Sequence, residues 1–156
     1  MNLRKGSGVV LLCMCAAALG GCSNILQGRD AELLGNWHDE QNGDDYTFTN
    51  AEMTILTDGY TIRADYGVDA SVTPHQFDMK IKNVTGGDDA ETINAIVNFL
   101  RFSGIVVLQG LYEIDGDQLR LVVAPKFLGR PEVIPASQDD LLNALLIEAT
   151  RVIEQR

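Results

Sequence analysis

Apolar and polar positions alternate with a period of two along much of the chain. Tyr46-Thr47-Phe48-Thr49 alternates aromatic with polar residues, and Met53 and Ile55 alternate with Glu52 and Thr54. Tyr60, Ile62 and Ala64 alternate with Thr61, Arg63 and Asp65; Phe77, Met79 and Ile81 alternate with Gln76, Asp78, Lys80 and Lys82. Each run predicts a strand with one dry and one wet face, because successive strand side chains point to opposite sides. Asp58-Gly59 separates two such runs, and both residue types tolerate the positive φ of a tight hairpin turn. Ile105 to Ile114 reads as a longer, more apolar strand, which Asp115-Gly116-Asp117 turns into Leu119-Arg120-Leu121-Val122-Val123. Pro125, Pro131 and Pro135 crowd the next stretch. Each lacks a ladder donor, so Glu132-Val133-Ile134 is at most a short edge strand. About seven or eight short strands joined by tight turns predict a mainly β fold, an antiparallel sandwich or an up-and-down barrel.

Two segments carry a helical period instead. Between Asp89 and Arg101, Ile93, Ile96, Val97 and Leu100 fall at i, i+3, i+4 and i+7, after a Gly86-Gly87-Asp88-Asp89 lead-in. This predicts a helical insertion over about residues 88–102. The second segment runs from Gln138 to about Gln155, after a Ser-x-x-Asp capping pattern at Ser137 and Asp140. Leu141, Leu142, Leu145, Leu146, Ala149, Val152 and Ile153 lie within an arc of roughly 140° at 100° per residue. An amphipathic C-terminal helix over 136–156, packed on the sheet or across a barrel mouth, is the expectation. Ile147 falls outside that arc and has no assigned partner.

The N-terminal region follows neither period. Arg4 and Lys5 precede an apolar run from Val9 to Ala18. About ten residues are too few for the roughly 20 that a membrane-spanning helix needs. They suit the apolar region of a secretory signal. Leu19-Gly20-Gly21-Cys22 follows directly. In that position it resembles the lipobox of bacterial lipoproteins; an uncleaved anchor or a plain secretory signal is the alternative. The resemblance implies a signal peptide over residues 1–21 and cleavage before Cys22. It also implies covalent diacylglycerol and acyl chains (such as palmitate) on that cysteine, and no other cofactor. Each buried CH₂ adds about 0.8 kcal/mol, so several chains hold a protein at a bilayer. Ser23 resembles the outer-membrane address of such proteins, where aspartate would resemble inner-membrane retention. The implied location is the cell envelope, lipid-anchored, at the outer membrane facing the periplasm. Residues 22–32 are then a polar tether to a β domain at 33–135. Its stretch to Asp30 would reach roughly 30 Å at about 3.3 Å per residue.

That reading changes the composition. The chain has 156 residues, 46% hydrophobic and 22% charged, a globular balance fitting one domain. Losing the 21 signal residues leaves 135, and losing Arg4 and Lys5 takes the net charge from −10 to −12. Cys13 and Cys15 leave with the signal, so no disulfide, Cys-metal site or catalytic thiol is expected. The acidic charge repels phosphate backbones and argues against nucleic acid as a partner.

Leu33-Leu34-Gly35-Asn36-Trp37 and Gly110-Leu111-Tyr112-Glu113-Ile114-Asp115-Gly116-Asp117-Gln118-Leu119 carry a second resemblance. Together they resemble small bacterial lipocalin-like domains, with the pattern L-x-G-x-W followed by G-x-Y-x-x-D-G-D-x-L. The likeness covers about residues 33 to 131. It implies an antiparallel up-and-down barrel, with Gly35 allowing close strand approach and Trp37 plugging one barrel end. The segment from Gly86 to Ser103 and the C-terminal helix depart from that pattern. A small barrel with a dry interior either fills with its own side chains or holds a small apolar or amphipathic ligand. The inward candidates are Tyr60, Ile62, Phe77, Met79, Ile81, Leu119, Leu121 and Val123.

No constellation with catalytic spacing emerges. His38 and His75 share no metal-ligand or triad spacing, and no Gly-x-Ser-x-Gly elbow, phosphate loop or Ser-x-x-Lys occurs. The acidic pairs, including Asp115 and Asp117, are explained by turn chemistry and solubility rather than by a metal loop. The chain is therefore not expected to be an enzyme. Two functions remain: a lipid-anchored ligand-binding module, or an accessory, scaffolding lipoprotein that docks to an envelope protein through its helices.

Overall fold

The computed structural model describes residues 25–101, 106–141 and 143–153. The signal peptide expected over 1–21 and the lipidation site Cys22 lie outside the described residues, as do Leu142 and Ile105. Eight antiparallel strands close into a barrel in sequence order: β1 (Gly35–Asp39), β2 (Asp44–Phe48), β3 (Met53–Thr57), β4 (Tyr60–Asp69), β5 (His75–Gly86), β6 (Val107–Asp115), β7 (Gln118–Pro125) and β8 (Leu145–Arg151). Among the described residues one α-helix, α1 (Ala90–Arg101), lies between β5 and β6.

Local chemistry accounts for the tight connections. Asp58 and Gly59 take φ of 44° and 81°, the doubly left-handed turn that follows the natural twist of two strands. On β4 and β5 the pairing shifts between Arg63–Asn83 and Ala64–Ile81, leaving Lys82 as an extra residue. This bulge reverses the phase of β5. Phe77, Met79 and Ile81 face inward before it, and Val84 after it.

The C-terminal helix expected over 136–156 is not what forms. Gln138–Asp140 is a single 3-10 turn, and Leu145–Arg151 is β8. Ile147 pairs with Leu121 and Ala149 with Leu119, both within the barrel core. Leu146 points outward and is buried with Leu111 and Val122 beneath Ile134, Leu141 and Ala144 of the β7–β8 connection. A strand buried on both faces reads as a continuous apolar run, which also fills a helical arc. Ile147, which has no place in that arc, is the residue that fits the strand. Closure decides the matter, since without β8 the edges of β1 and β7 would stand unpaired. The short edge strand considered for Glu132-Val133-Ile134 does not form either; Ile134 serves as cover for the outer face.

Residues 25–32, part of the tether expected over 22–32, lie against the barrel. β3 pairs with β4 only as far as Ala64, and Gly28 bridges Val68 on the edge left free beyond it. Gly67 is required at that crossing, because a Cβ there would sit 1.6 Å from the Leu26 carbonyl oxygen. Asp78, buried on the outer face of β5, accepts the Leu26 N–H at 3.1 Å and an Arg130 N–H at 2.6 Å. Arg130 also donates to the carbonyls of Phe77 and Gly110, at 2.8 and 2.7 Å. One carboxylate thus joins the N-terminal strap, the barrel wall and the β7–β8 connection.

The strand assignment predicts a contrast between neighbours. Ile147→Ala removes a buried side chain and is expected to cost about 2–5 kcal/mol. Leu145→Ala, at a position 49% exposed, is expected to change stability by less than about 0.5 kcal/mol. Urea unfolding of the two variants checks this, and equal effects would contradict the strand.

Candidate functional site

The two barrel ends are built differently. At the end where β1 begins, Trp37 and Leu33 are fully buried, and the indole N–H donates to the Leu33 carbonyl at 2.9 Å. Arg151, the last residue of β8, sits 4.1 Å from the Trp37 ring centroid and donates to the carbonyls of Leu34 and Glu32. Arg29 lies 4.6 Å from the Tyr66 ring centroid and donates to the Tyr66 carbonyl. Inside, Phe48, Tyr66, Phe77 and Tyr112 form successive ring contacts, with centroid separations of 5.4 Å, 6.0 Å and 6.4 Å. These bulky groups fill the interior, as expected of eight strands with large inward side chains.

At the opposite end β5 runs past β6. The last β5–β6 pair is Lys80 with Val107, followed by a bond from the Ile81 N–H to the Val106 carbonyl. Beyond it, Asn94 of α1 replaces the missing strand: its Oδ1 accepts the Val84 N–H at 2.7 Å, and its Nδ2 donates to the Val84 carbonyl. Buried backbone groups need partners, and one amide side chain here serves both. Under the helix, Val84, Val97 and Val106 form a small apolar cluster, flanked by half-buried Tyr60, Ile62, Ile81 and Ile93.

The eight residues named from sequence therefore divide. Phe77, Met79, Leu119, Leu121 and Val123 are buried in the central core. Tyr60 and Ile62 belong to the half-buried group at the α1 end, and Ile81 touches both clusters. Sequence reasoning leaves out Val84, Ile93, Asn94, Val97 and Val106 as parts of one site. The helical period marks Ile93 and Val97, but nothing local marks the Lys82 bulge that turns Val84 inward.

The histidines stand on strands that do not pair. His38 Nδ1 is 2.7 Å from Asp45 Oδ1, and His75 Nδ1 is 2.6 Å from the Val72 carbonyl oxygen. Among the described residues no group of three or more His, Cys, Asp or Glu is arranged to hold a metal ion. No helix among them is long and apolar enough to cross a membrane. Buried Asp39 accepts the N–H groups of Gln41 and Asn42, which is turn architecture.

The titrating groups inside the barrel are phenols. Burial pushes Tyr46 far above its ordinary value, and the Asp44 charge adds to the shift. Burial does the same to Tyr112, whose hydroxyl also donates to Asp30 at 2.7 Å. Tyr66 is raised chiefly by burial. No family model, curated protein or solved structure matches the chain.

A phenol whose folded pKa lies above its unfolded value of 10.0 contributes stability that is complete below that pH and lost as pH rises through the folded value. Unfolding free energy is therefore expected to fall as pH rises above about 10. Chemical denaturation across pH 8 to 11.5 measures the slope, which Tyr112→Phe should make shallower. An unchanged slope in that variant would remove Tyr112 from the account.

Proposed function

We propose that the chain is an envelope lipoprotein, anchored through acyl chains on Cys22, whose barrel binds a small apolar or amphipathic ligand at the α1 end. The anchor rests on the Arg4-Lys5 charge, the apolar run and Leu19-Gly20-Gly21-Cys22. The outer membrane, facing the periplasm, is the location that Ser23 favours. The barrel carries the resemblance to lipocalin-like domains in Leu33-Leu34-Gly35-Asn36-Trp37 and the Gly110–Leu119 stretch.

One observation supports the ligand site above the rest. Half-buried Tyr60, Ile62, Ile81 and Ile93 gather where the β5–β6 ladder has ended and α1 covers the gap. Apolar side chains with part of their surface still wet gain free energy when a ligand covers them, about 25 cal/mol per Å². α1 rests on this end through Ile93, Val97 and the Asn94 amide, and ligand sites sit in the mouths of such barrels. The filled interior limits the ligand to the α1 end, reaching the core no deeper than Ile81.

The second reading, docking to an envelope protein through helices, has lost half its basis, since Leu145–Arg151 is a strand. The apolar side chains Ile93 and Val97 of α1 face the barrel. Deleting Gln138 to Arg156 would remove β8 and open the barrel, so it cannot test docking.

Titration with a fluorescent fatty-acid analogue tests the binding reading. Saturable binding is expected, weakened about tenfold or more, at least about 1.4 kcal/mol, by Ile62→Asp. Leu145→Asp, at an exposed position, should leave it unchanged. Absence of saturable binding at every acyl length, with native mass spectrometry finding only empty protein from the host, would sink the proposal.

A further inference from the structure

We infer that the start of the β7–β8 connection, carrying Phe127, Leu128 and Val133, lies on the lipid surface to which Cys22 is attached. The inference rests on the anchored-lipoprotein reading and specifies which face of the barrel meets the membrane. Phe127, Leu128 and Val133 are 68%, 52% and 67% exposed, three large apolar side chains within seven consecutive residues. Exposed apolar side chains gathered in one connection offer a surface that an apolar partner can cover.

The position of the anchor identifies that cover. Leu26 is fixed to the barrel wall by its N–H bond to Asp78 and by the close crossing at Gly67. Three residues lie between Leu26 and Cys22, a reach of at most roughly 14 Å over four steps of the chain. The acyl chains therefore attach close to this wall rather than at the end of a 30 Å leash. Arg130 holds the other oxygen of the same Asp78 carboxylate. The turn Lys126–Leu128 ends two residues before Arg130, and Val133 follows three after it. The strap that leads back to Cys22 and the connection that carries the exposed apolar side chains thus meet at one part-buried ion pair.

The charge fits this arrangement. A mature net charge of −12 repels anionic headgroups, so attraction must come from burying apolar surface. Lys126, half-buried at the start of the same turn, makes no ion pair among the described residues, so its ammonium can lie among the headgroups.

Depth-dependent fluorescence of the full lipidated chain in phosphatidylethanolamine–phosphatidylglycerol vesicles tests this. Trp37 is the one natural tryptophan and is buried, so the parent chain supplies the background. Phe127→Trp should shift its added emission to the blue and lose it to lipids brominated in the acyl chain. Leu56→Trp, 47% exposed on β3 across the barrel from β7, should do neither. Mass spectrometry of the same preparation reports whether Cys22 is acylated. An unacylated chain overturns the anchor and this inference together. An acylated chain with no quenching at position 127, or equal quenching at 56 and 127, overturns this inference alone. A crosslink from position 127 to an envelope protein or a second copy, in place of quenching, overturns it in favour of protein docking.

Discussion

The barrel is held shut at its shortest seam. β1 and β8 share two register pairs, Trp37–Arg151 and His38–Thr150, whereas β4 and β5 share ten. The ladder is continued by the bond from the Val152 N–H to the Asn36 carbonyl at 2.8 Å, and one arginine adds side-chain ties across it. Arg151 covers the Trp37 ring, donates to the Leu34 and Glu32 carbonyls and lies 3.4 Å from Asp117. A half-buried cation over an indole face contributes about 0.5–2 kcal/mol. The last strand is thereby fastened to the first, to the turn before it and to the β6–β7 hairpin. Every inward side chain depends on that fastening, because an open sheet would wet the face they share.

Unequal strand lengths then give the barrel two unlike ends. β5 has twelve residues against nine for β6, and the surplus projects beyond the wall on the side of α1. The bulge at Lys82 keeps that projection useful, since without it Val84 would face water and Asn83 the interior. The end sealed by Trp37, Leu33 and the aromatic stack is a stability device. The end covered by α1 keeps half-buried apolar surface, and a proposed ligand site belongs where the structure has left burial incomplete.

The legible and illegible parts divide along local and long-range physics. β2, β3, β4 and the first part of β5 are visible as alternation, and Asp58-Gly59 as a hairpin, because each depends on adjacent residues. β8 is masked because burial on both faces erases alternation, and Ile147 alone betrays it. The candidate site is half legible: Tyr60, Ile62 and Ile81 carry the right period, but a bulge has no strong residue signature, so Val84 is missed. Asp78 reads as an ordinary wet-face acid in Gln76–Lys82, and its Arg130 partner stands 52 residues away. No local rule links such a pair, and the strap folded onto it reads as a polar tether for the same reason.

The strap also decides how the protein bears load. A pull on the N-terminus reaches the fold first at Leu26 and Gly28, clamped on the outside of β4 and β5. Those strands carry the longest ladder in the barrel, so tension spreads over ten residue pairs. The two-pair seam between β1 and β8 lies downstream of this clamp and is shielded while the strap holds. A load on the N-terminus is therefore taken by the longest ladder of the barrel before it reaches the shortest one.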